Sequence, residues 1–273
     1  LHPPQYAIDN VRVYDSDSIL MLDRVPRSLA ILGGGVAGCE YASLFAALGV
    51  NVSLIDSKER LLPWLDAELS HAMQDLFAMA GVDLHQRVRA NKLEPGDRDV
   101  LVTLSDGSRL VAEKVLVAAG RVGNVEALNL PAAGLAATER GLLTVNAHFQ
   151  TSVPHIYAAG DLVGFPGLAS VSMEQGRVAM SHAIGGESSR KIVELQPVGI
   201  YTIPEVSSVG ESEEQLKQKG RAYVVGQSTL AANARANLIG EAVGFVKLLA
   251  DADTGEILGV HCIGPHASEL VHT

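Results

Sequence analysis

The chain is expected to be α/β, with a parallel sheet at its heart and a mixed α+β region toward its end. Three observations lead there. Over residues 29–56 an apolar strand runs into three spaced glycines, a helix of small residues follows, and a second apolar strand ends on an acid. Short apolar strands then alternate with helical patterning as far as residue 119. From Gly199 onward strands dominate.

Gly33, Gly35 and Gly38 have the G-x-G-x-x-G spacing. The first allows the tight turn out of the strand. The second removes a side chain where a pyrophosphate must approach the backbone. The third lets the helix pack closely on the strands. The helix start offers unpaired N–H groups and a partial positive charge to phosphates. Glycine is common in this chain (27 residues), so the motif alone could be an ordinary turn. Its context selects the dinucleotide reading: a strand before it, a helix after it, and Asp56 closing the next strand 23 residues beyond Gly33. That acid suits a ribose 2′-OH and favours NAD. Ser57, Lys58 and Arg60 just beyond it keep NADP open.

Further along, Leu69, Met73, Leu76 and Phe77 mark a helix over 68–80, and 81–84 reads as a third strand. Ser105-Asp106-Gly107 between two apolar runs signals a hairpin. A buried strand over 115–119 ends in Gly120-Arg121. Residues 151–158 are expected to form another strand, delivering Gly160 and Asp161 at its carboxyl end. A helix over about 170–184 follows, carrying Val171, Val178 and Met180, and 185–196 reads as a linker. Strands are expected at 223–225, 244–249 and 257–263, with a charged helix start within 209–219 and the beginning of a helix at 269–273.

Apolar residues make up 47% of the 273, enough for a core in about two domains. The net charge of −10 and the lack of a basic stripe argue against nucleic acid and anionic membrane as partners. No apolar run is long enough to span a bilayer, and no secretory leader is recognisable. Cys39 and Cys262, far apart in sequence, give no disulfide framework, so a reducing cytoplasm is expected. The nine histidines form no metal-ligand spacing, and no metal is expected. Trp64 reads as a packing anchor. The acids of Glu211-Ser212-Glu213-Glu214 read as a helix start facing water.

Four motifs occur in order: Gly33-x-Gly35-x-x-Gly38-x-Glu40, then Ala119-Gly120-Arg121-x-x-Asn124. Next come Thr151-x-x-Pro154-x-Ile156-Tyr157-Ala158-x-Gly160-Asp161 and Tyr201-Thr202-x-Pro204-Glu205-x-x-x-Val209-Gly210. Together they resemble the flavin-dependent pyridine nucleotide–disulfide oxidoreductases over nearly the whole chain. The stretches 14–20, 38–43 and 199–205 look most like the transhydrogenase branch. The stretches 244–248 and 259–265 suit the dihydrolipoamide dehydrogenase branch equally well.

The resemblance implies an α/β chain with a Rossmann-like NAD(P) domain (26–145), part of an FAD domain (146–196), and a truncated α+β dimerisation domain (197–273). Residues 1–25 would be an FAD-domain remnant or linker. It implies FAD and NAD(P) as cofactors. Gly33, Gly35, Gly38 and Asp56 would hold NAD(P), with Gly120 close to it, and Arg121 and Asn124 would support the interdomain loop. Gly160 and Asp161 would meet the FAD ribityl chain, and Leu168, Ala169 and Ser170 would pass the flavin ring. The dipole of the following helix would favour the anionic reduced flavin. Glu40 would be the catalytic-side residue that orients the nicotinamide.

The implied activity is hydride transfer between NAD(P)H and NAD(P)+ through FAD, that of a Si-specific NAD(P)+ transhydrogenase or a related NAD(P)H oxidoreductase, in a homodimer or larger homo-oligomer. A disulfide-reducing enzyme and a non-catalytic nucleotide-binding module are the alternatives. The family's first glycine loop, its Cys-x4-Cys pair and its C-terminal His-x4-Glu are absent from this sequence. The chain also opens without Met, so it is expected to be a piece of a longer protein with little activity of its own.

Overall fold

A computed structural model describes residue 3 and residues 5–164, 166–186 and 195–272. The chain forms two compact units, Leu1–Gly120 with Pro197–Thr273, and Arg121–Gln196.

The first unit is built on a five-stranded parallel sheet. Its strands are β1 (Val13–Asp15), β2 (Ser28–Leu32), β3 (Asn51–Asp56), β4 (Asp83–Gln86) and, much later in the chain, β8 (Lys114–Val117). Their order is β1-β8-β2-β3-β4. Helices α1 (Val36–Ala47) and α2 (Ala67–Met79) follow β2 and β3. The side-chain period of two sends alternate residues to opposite faces. Leu29, Ile31, Leu54 and Leu116 enter one core with Cys39, Phe45, Leu69, Met73 and Phe77 of the helices. Ala30, Leu32, Ile55, Val115 and Val117 enter the other. A three-stranded antiparallel sheet covers that second face: β5 (Ala90–Pro95), β6 (Val100–Leu104) and β7 (Arg109–Ala112). The expected hairpin at Ser105-Asp106-Gly107 is the β6–β7 turn, with Gly107 at φ +87°. Strand β1, which the sequence did not signal, pairs in parallel with β8.

The C-terminal region belongs to the same unit. It adds an antiparallel sheet of β9 (Val198–Ile200), β10 (Glu205–Gly210), β11 (Tyr223–Thr229), β12 (Phe245–Asp251) and β13 (Ile257–Gly264), in the order β11-β12-β13-β10-β9. Ile200, Val206, Phe245 and Ile263 of this sheet join the core of α1 and α2. Beneath them lies a polar joint. Lys247, on β12, is 1% exposed, and its ammonium meets Asp66 (2.9 Å), Glu68 (3.0 Å) and Glu213 (2.5 Å). Asp66 caps α2 through the Glu68 N–H and also accepts the Glu213 N–H at 3.1 Å. Burial pulls the Lys247 ammonium down, but the three carboxylates outweigh it and hold the pKa above its ordinary value. Lys247 and then Tyr223 hold Glu213 down to about 2.

The acids of 211–214 therefore do not simply face water. Glu213 serves Lys247, Glu214 pairs with Arg60 and Glu211 with Lys219. Helix formation there is as expected, although it starts later. Val209 and Gly210 complete β10, and the helix Glu213–Lys219 is opened by a Ser212–Gln215 capping box. Trp64 is 41% exposed, whereas its neighbours Leu61, Leu62 and Leu65 are buried.

The second unit contains short 3-10 turns, including Gly160–Val163, and the helix Ala169–Ala183, called α3 here. The strand expected at 151–158 does not form; only an isolated bridge joins Gln150 and Tyr157. Its backbone groups are satisfied locally instead, Thr151 N–H by Ile156 O and Ala158 N–H by Phe149 O. No strand lies beside it within this unit among the described residues. On α3, Val171 and Val178 are buried, whereas Met180 is 60% exposed. Most of the expected linker 185–196 falls outside the described residues.

Candidate functional site

The parallel sheet changes direction at β2. The chain leaves β2 toward β3, while β8 lies on its other side. The crevice outside the carboxyl ends of such strands is where open α/β sheets take ligands. The glycine loop sits there. Gly33, at φ +115°, donates its N–H to Ile55 O at 2.8 Å, and a Cβ on it would come within 2.5 Å of Ala118 O. A Cβ at Gly38 would lie 1.8 Å from Gly33 O, so this residue sets how closely α1 approaches the turn. Gly35 differs from both. Nothing lies within 4 Å of its missing Cβ, and its φ of −75° is one that any residue adopts. Packing therefore demands glycine at 33 and 38, while at 35 glycine keeps a space clear. That clear space adjoins the start of α1, which has no side-chain cap and no acid in its first turn.

Asp56 faces the loop. Its Oδ2 accepts the Gly34 N–H at 2.8 Å and its Oδ1 accepts the Lys58 N–H at 2.9 Å. A carboxylate offers about four acceptor positions, so capacity remains for a ribose. Gly34 is a site residue that the motif reading passed over. A Cβ there would press within 2.5 Å of the carboxylate, and the run of three consecutive glycines was its only signal. Arg60, in contrast, is withdrawn from the rim. Its guanidinium donates to Pro63 O and Leu65 O and pairs with Glu214 at 3.1 Å.

Glu40 stands in the first turns of α1, and its Oε1 accepts the Tyr201 N–H at 3.0 Å. Helix α1 is thereby tied to the segment between β9 and β10. Cys39, beside it, is fully buried, and burial, with Asp56 and Glu40, pushes its thiol well above its ordinary value. Burial raises Cys262 as well. Both cysteines are free. His261 is 1% exposed and held between Ser208 Oγ (2.8 Å) and Glu211 O (3.1 Å). Burial lowers its pKa, as suits a neutral structural imidazole. Among the described residues no group of His, Cys, Asp and Glu could hold a metal ion.

In the second unit Gly160, at φ +80°, donates its N–H to Gln175 Oε1 at 2.6 Å. Asp161 pairs with Arg121 at 2.9 Å, and the two side chains are 49% and 82% exposed. A Cβ at Gly167 would lie 3.3 Å from the Asp161 carboxylate, which places that acid beside the segment entering α3. Leu168 is the N-cap of α3, and the helix start, with exposed Ala169 and Ser170, carries neither a side-chain cap nor an acid. Gly120 (φ +108°) has open space around its missing Cβ.

Residues 4–176 match the family model for pyridine nucleotide-disulphide oxidoreductases, and residues 196–273 match the dimerisation domain of the same group. The chain belongs to the pyridine nucleotide–disulphide oxidoreductase family. It is 44% identical over 271 residues to soluble pyridine nucleotide transhydrogenases of Klebsiella pneumoniae subsp. pneumoniae and Enterobacter sp., covering 99% of this chain and 58% of each relative. It thus spans under two thirds of the length of these relatives. LpdA from Mycobacterium tuberculosis superposes with a TM-score of 0.91 at 32% identity, covering all of this chain and 59% of that one. The HOCl-induced flavoprotein disulfide reductase RclA from Escherichia coli gives 0.93 at 28% identity, with 100% and 63% covered.

The family's cofactors are FAD and NAD(P), and the residues present fit both. The space at Gly35 and the open start of α1 suit a nucleotide diphosphate. Asp161 and the open start of α3 suit a polyol and an electron-rich ring edge. No helix among the described residues is long and apolar enough to cross a membrane.

Proposed function

We propose that this chain carries the nicotinamide-nucleotide site and part of the flavin site of an oxidoreductase that moves hydride between NAD(P)H and NAD(P)+, acting as a homodimer in the cytoplasm. The observation that carries this reading is the contrast among the loop glycines. Gly33, Gly34 and Gly38 are required by contact, and Gly35 guards an empty space at a helix start.

Backbone N–H groups at the start of α1 would bind the pyrophosphate, and Asp56 would accept from the adenosine ribose. Glu40, fixed at one oxygen by Tyr201, would orient the nicotinamide carboxamide. Asp161 would take the flavin's ribityl hydroxyls, and the start of α3 would favour negative charge at the flavin edge. Bound FAD supplies the two-electron chemistry. The protein's share is position and electrostatics, with no acid, base or thiol of its own required. The 44% identity to soluble pyridine nucleotide transhydrogenases favours nucleotide-to-nucleotide transfer.

The test is a fluorescence titration of the 273-residue chain with NADH. Saturable binding is expected, with little transfer to thio-NAD+ by the chain alone. Gly35→Val should still fold, losing about 1 kcal/mol as a poorer N-cap of α1, because a Cβ at this position meets nothing within 4 Å. Its affinity for NADH should nevertheless fall about 100-fold, through loss of the charge-assisted phosphate contacts. Equal NADH affinity in parent and variant would overturn the proposal.

A further inference from the structure

The rim beyond Asp56 holds a second arrangement that the glycine loop does not use. The exposed segment Ser57, Lys58 and Glu59 is stitched to the end of β4 by three contacts. The Arg87 N–H donates to Lys58 O at 3.0 Å, Gln86 Nε2 donates to Glu59 O at 2.8 Å, and the Arg87 guanidinium pairs with the Glu59 carboxylate. The next residue, Val88, donates its N–H to Asp56 O, which brings the backbone at 87–88 alongside the end of β3. Arg87 has φ +60°, a conformation uncommon for a long side chain. A backbone turned this way at the end of a ligand-facing strand is a reason to look for function.

We infer that Arg87 is the residue that receives a 2′-phosphate, and that Glu59 is the built-in competitor that sets the preference between NAD(H) and NADP(H). This rests on the nucleotide reading of the glycine loop given above. A phosphate monoester on the ribose beside Asp56 would meet two carboxylates, Asp56 and Glu59, and would be repelled by both. Of the cations on this rim, Arg87 is the one whose planar fork matches phosphate oxygens bidentately. Arg60 is excluded by its ties to Pro63, Leu65 and Glu214. The Glu59–Arg87 pair is 75% and 69% exposed, so breaking it costs little. Without a 2′-phosphate the guanidinium rests on Glu59. With one, it turns to the phosphate, and Lys58, exposed on the same rim, adds a second positive charge. The single acid at 59 therefore biases the site toward NAD(H) without closing it to NADP(H).

The experiment titrates the chain with NADH and with NADPH, which differ only in the 2′-phosphate, and reads the ratio of the two dissociation constants. Glu59→Gln should shift that ratio toward NADPH by about tenfold, since a like charge facing the phosphate is removed. Arg87→Gln should shift it toward NADH by about tenfold or more, by removing a charge-assisted pair. Arg87→Lys should fall between, because it keeps the charge and loses the fork. Measurable NADH binding with an unmoved ratio in both Glu59→Gln and Arg87→Gln would overturn the inference and leave the nucleotide site standing. Absence of NADH binding in the parent would remove both.

Discussion

The two units use the same local device and hold it differently. In each, a glycine at positive φ precedes a helix whose first turn is uncapped, and an acid stands beside it. In the first unit that acid, Asp56, is half-buried and fastened by two backbone N–H groups. In the second, Asp161 is exposed and answered by a single exposed arginine. Fixed backbone donors cost no rearrangement when a ligand arrives, whereas an arginine held mainly in water is released easily. On the proposed function, the first site is set before binding and the second would be shaped by what binds it. The carboxylates deeper in the first unit follow the same rule, Asp66 and Glu213 being locked on Lys247.

The largest test of that contrast removes the cation from the locked group. Lys247→Met leaves the carboxylates of Asp66 and Glu213 facing one another in the interior. It should cost about 4 kcal/mol, the usual penalty for half of a buried pair, read as a lower urea midpoint. Acid should act on the same joint. Glu213 sits at about 2 against an ordinary 4.5, so its contribution is complete above pH 4.5 and drains away as pH falls toward 2. Discounted for solvent screening, that depression corresponds to about 1–2 kcal/mol, and urea midpoints measured across this range should fall accordingly. In Lys247→Met this acid-induced loss should disappear, and acid should instead relieve part of the penalty by protonating carboxylates that have lost their cation. The smallest effect belongs to the second unit. Arg121→Ala should change stability by less than about 0.5 kcal/mol. A loss as large as that of Lys247→Met would show that Asp161 is also a locked acid and would erase the distinction.

Features made by neighbouring residues were legible in the sequence. The turn at Gly33, the close packing at Gly38, the acid closing β3 and the helices 36–47 and 67–79 all follow from short-range spacing. Features made by distant residues were not. Lys247 meets Asp66 across 181 positions, and Glu40 meets Tyr201 across 161. Nothing in the run Glu211-Ser212-Glu213-Glu214 says that one of its acids will find a buried ammonium. The strand expected at 151–158 failed for a related reason. Its apolar pattern is real, but a strand exists only with a neighbour to share its hydrogen bonds, and within this unit the chain closes on itself instead.

Arg60 carries a practical lesson for redesign. Its position just past β3 invites anyone wishing to retune the coenzyme to replace it, yet it works as a bracket, strapping the loop at Pro63 and Leu65 and reaching the capped helix at Glu214. Altering it would loosen a seam of the scaffold before it touched selectivity. Engineers should leave that bolt in place and work on the exposed strip next to it.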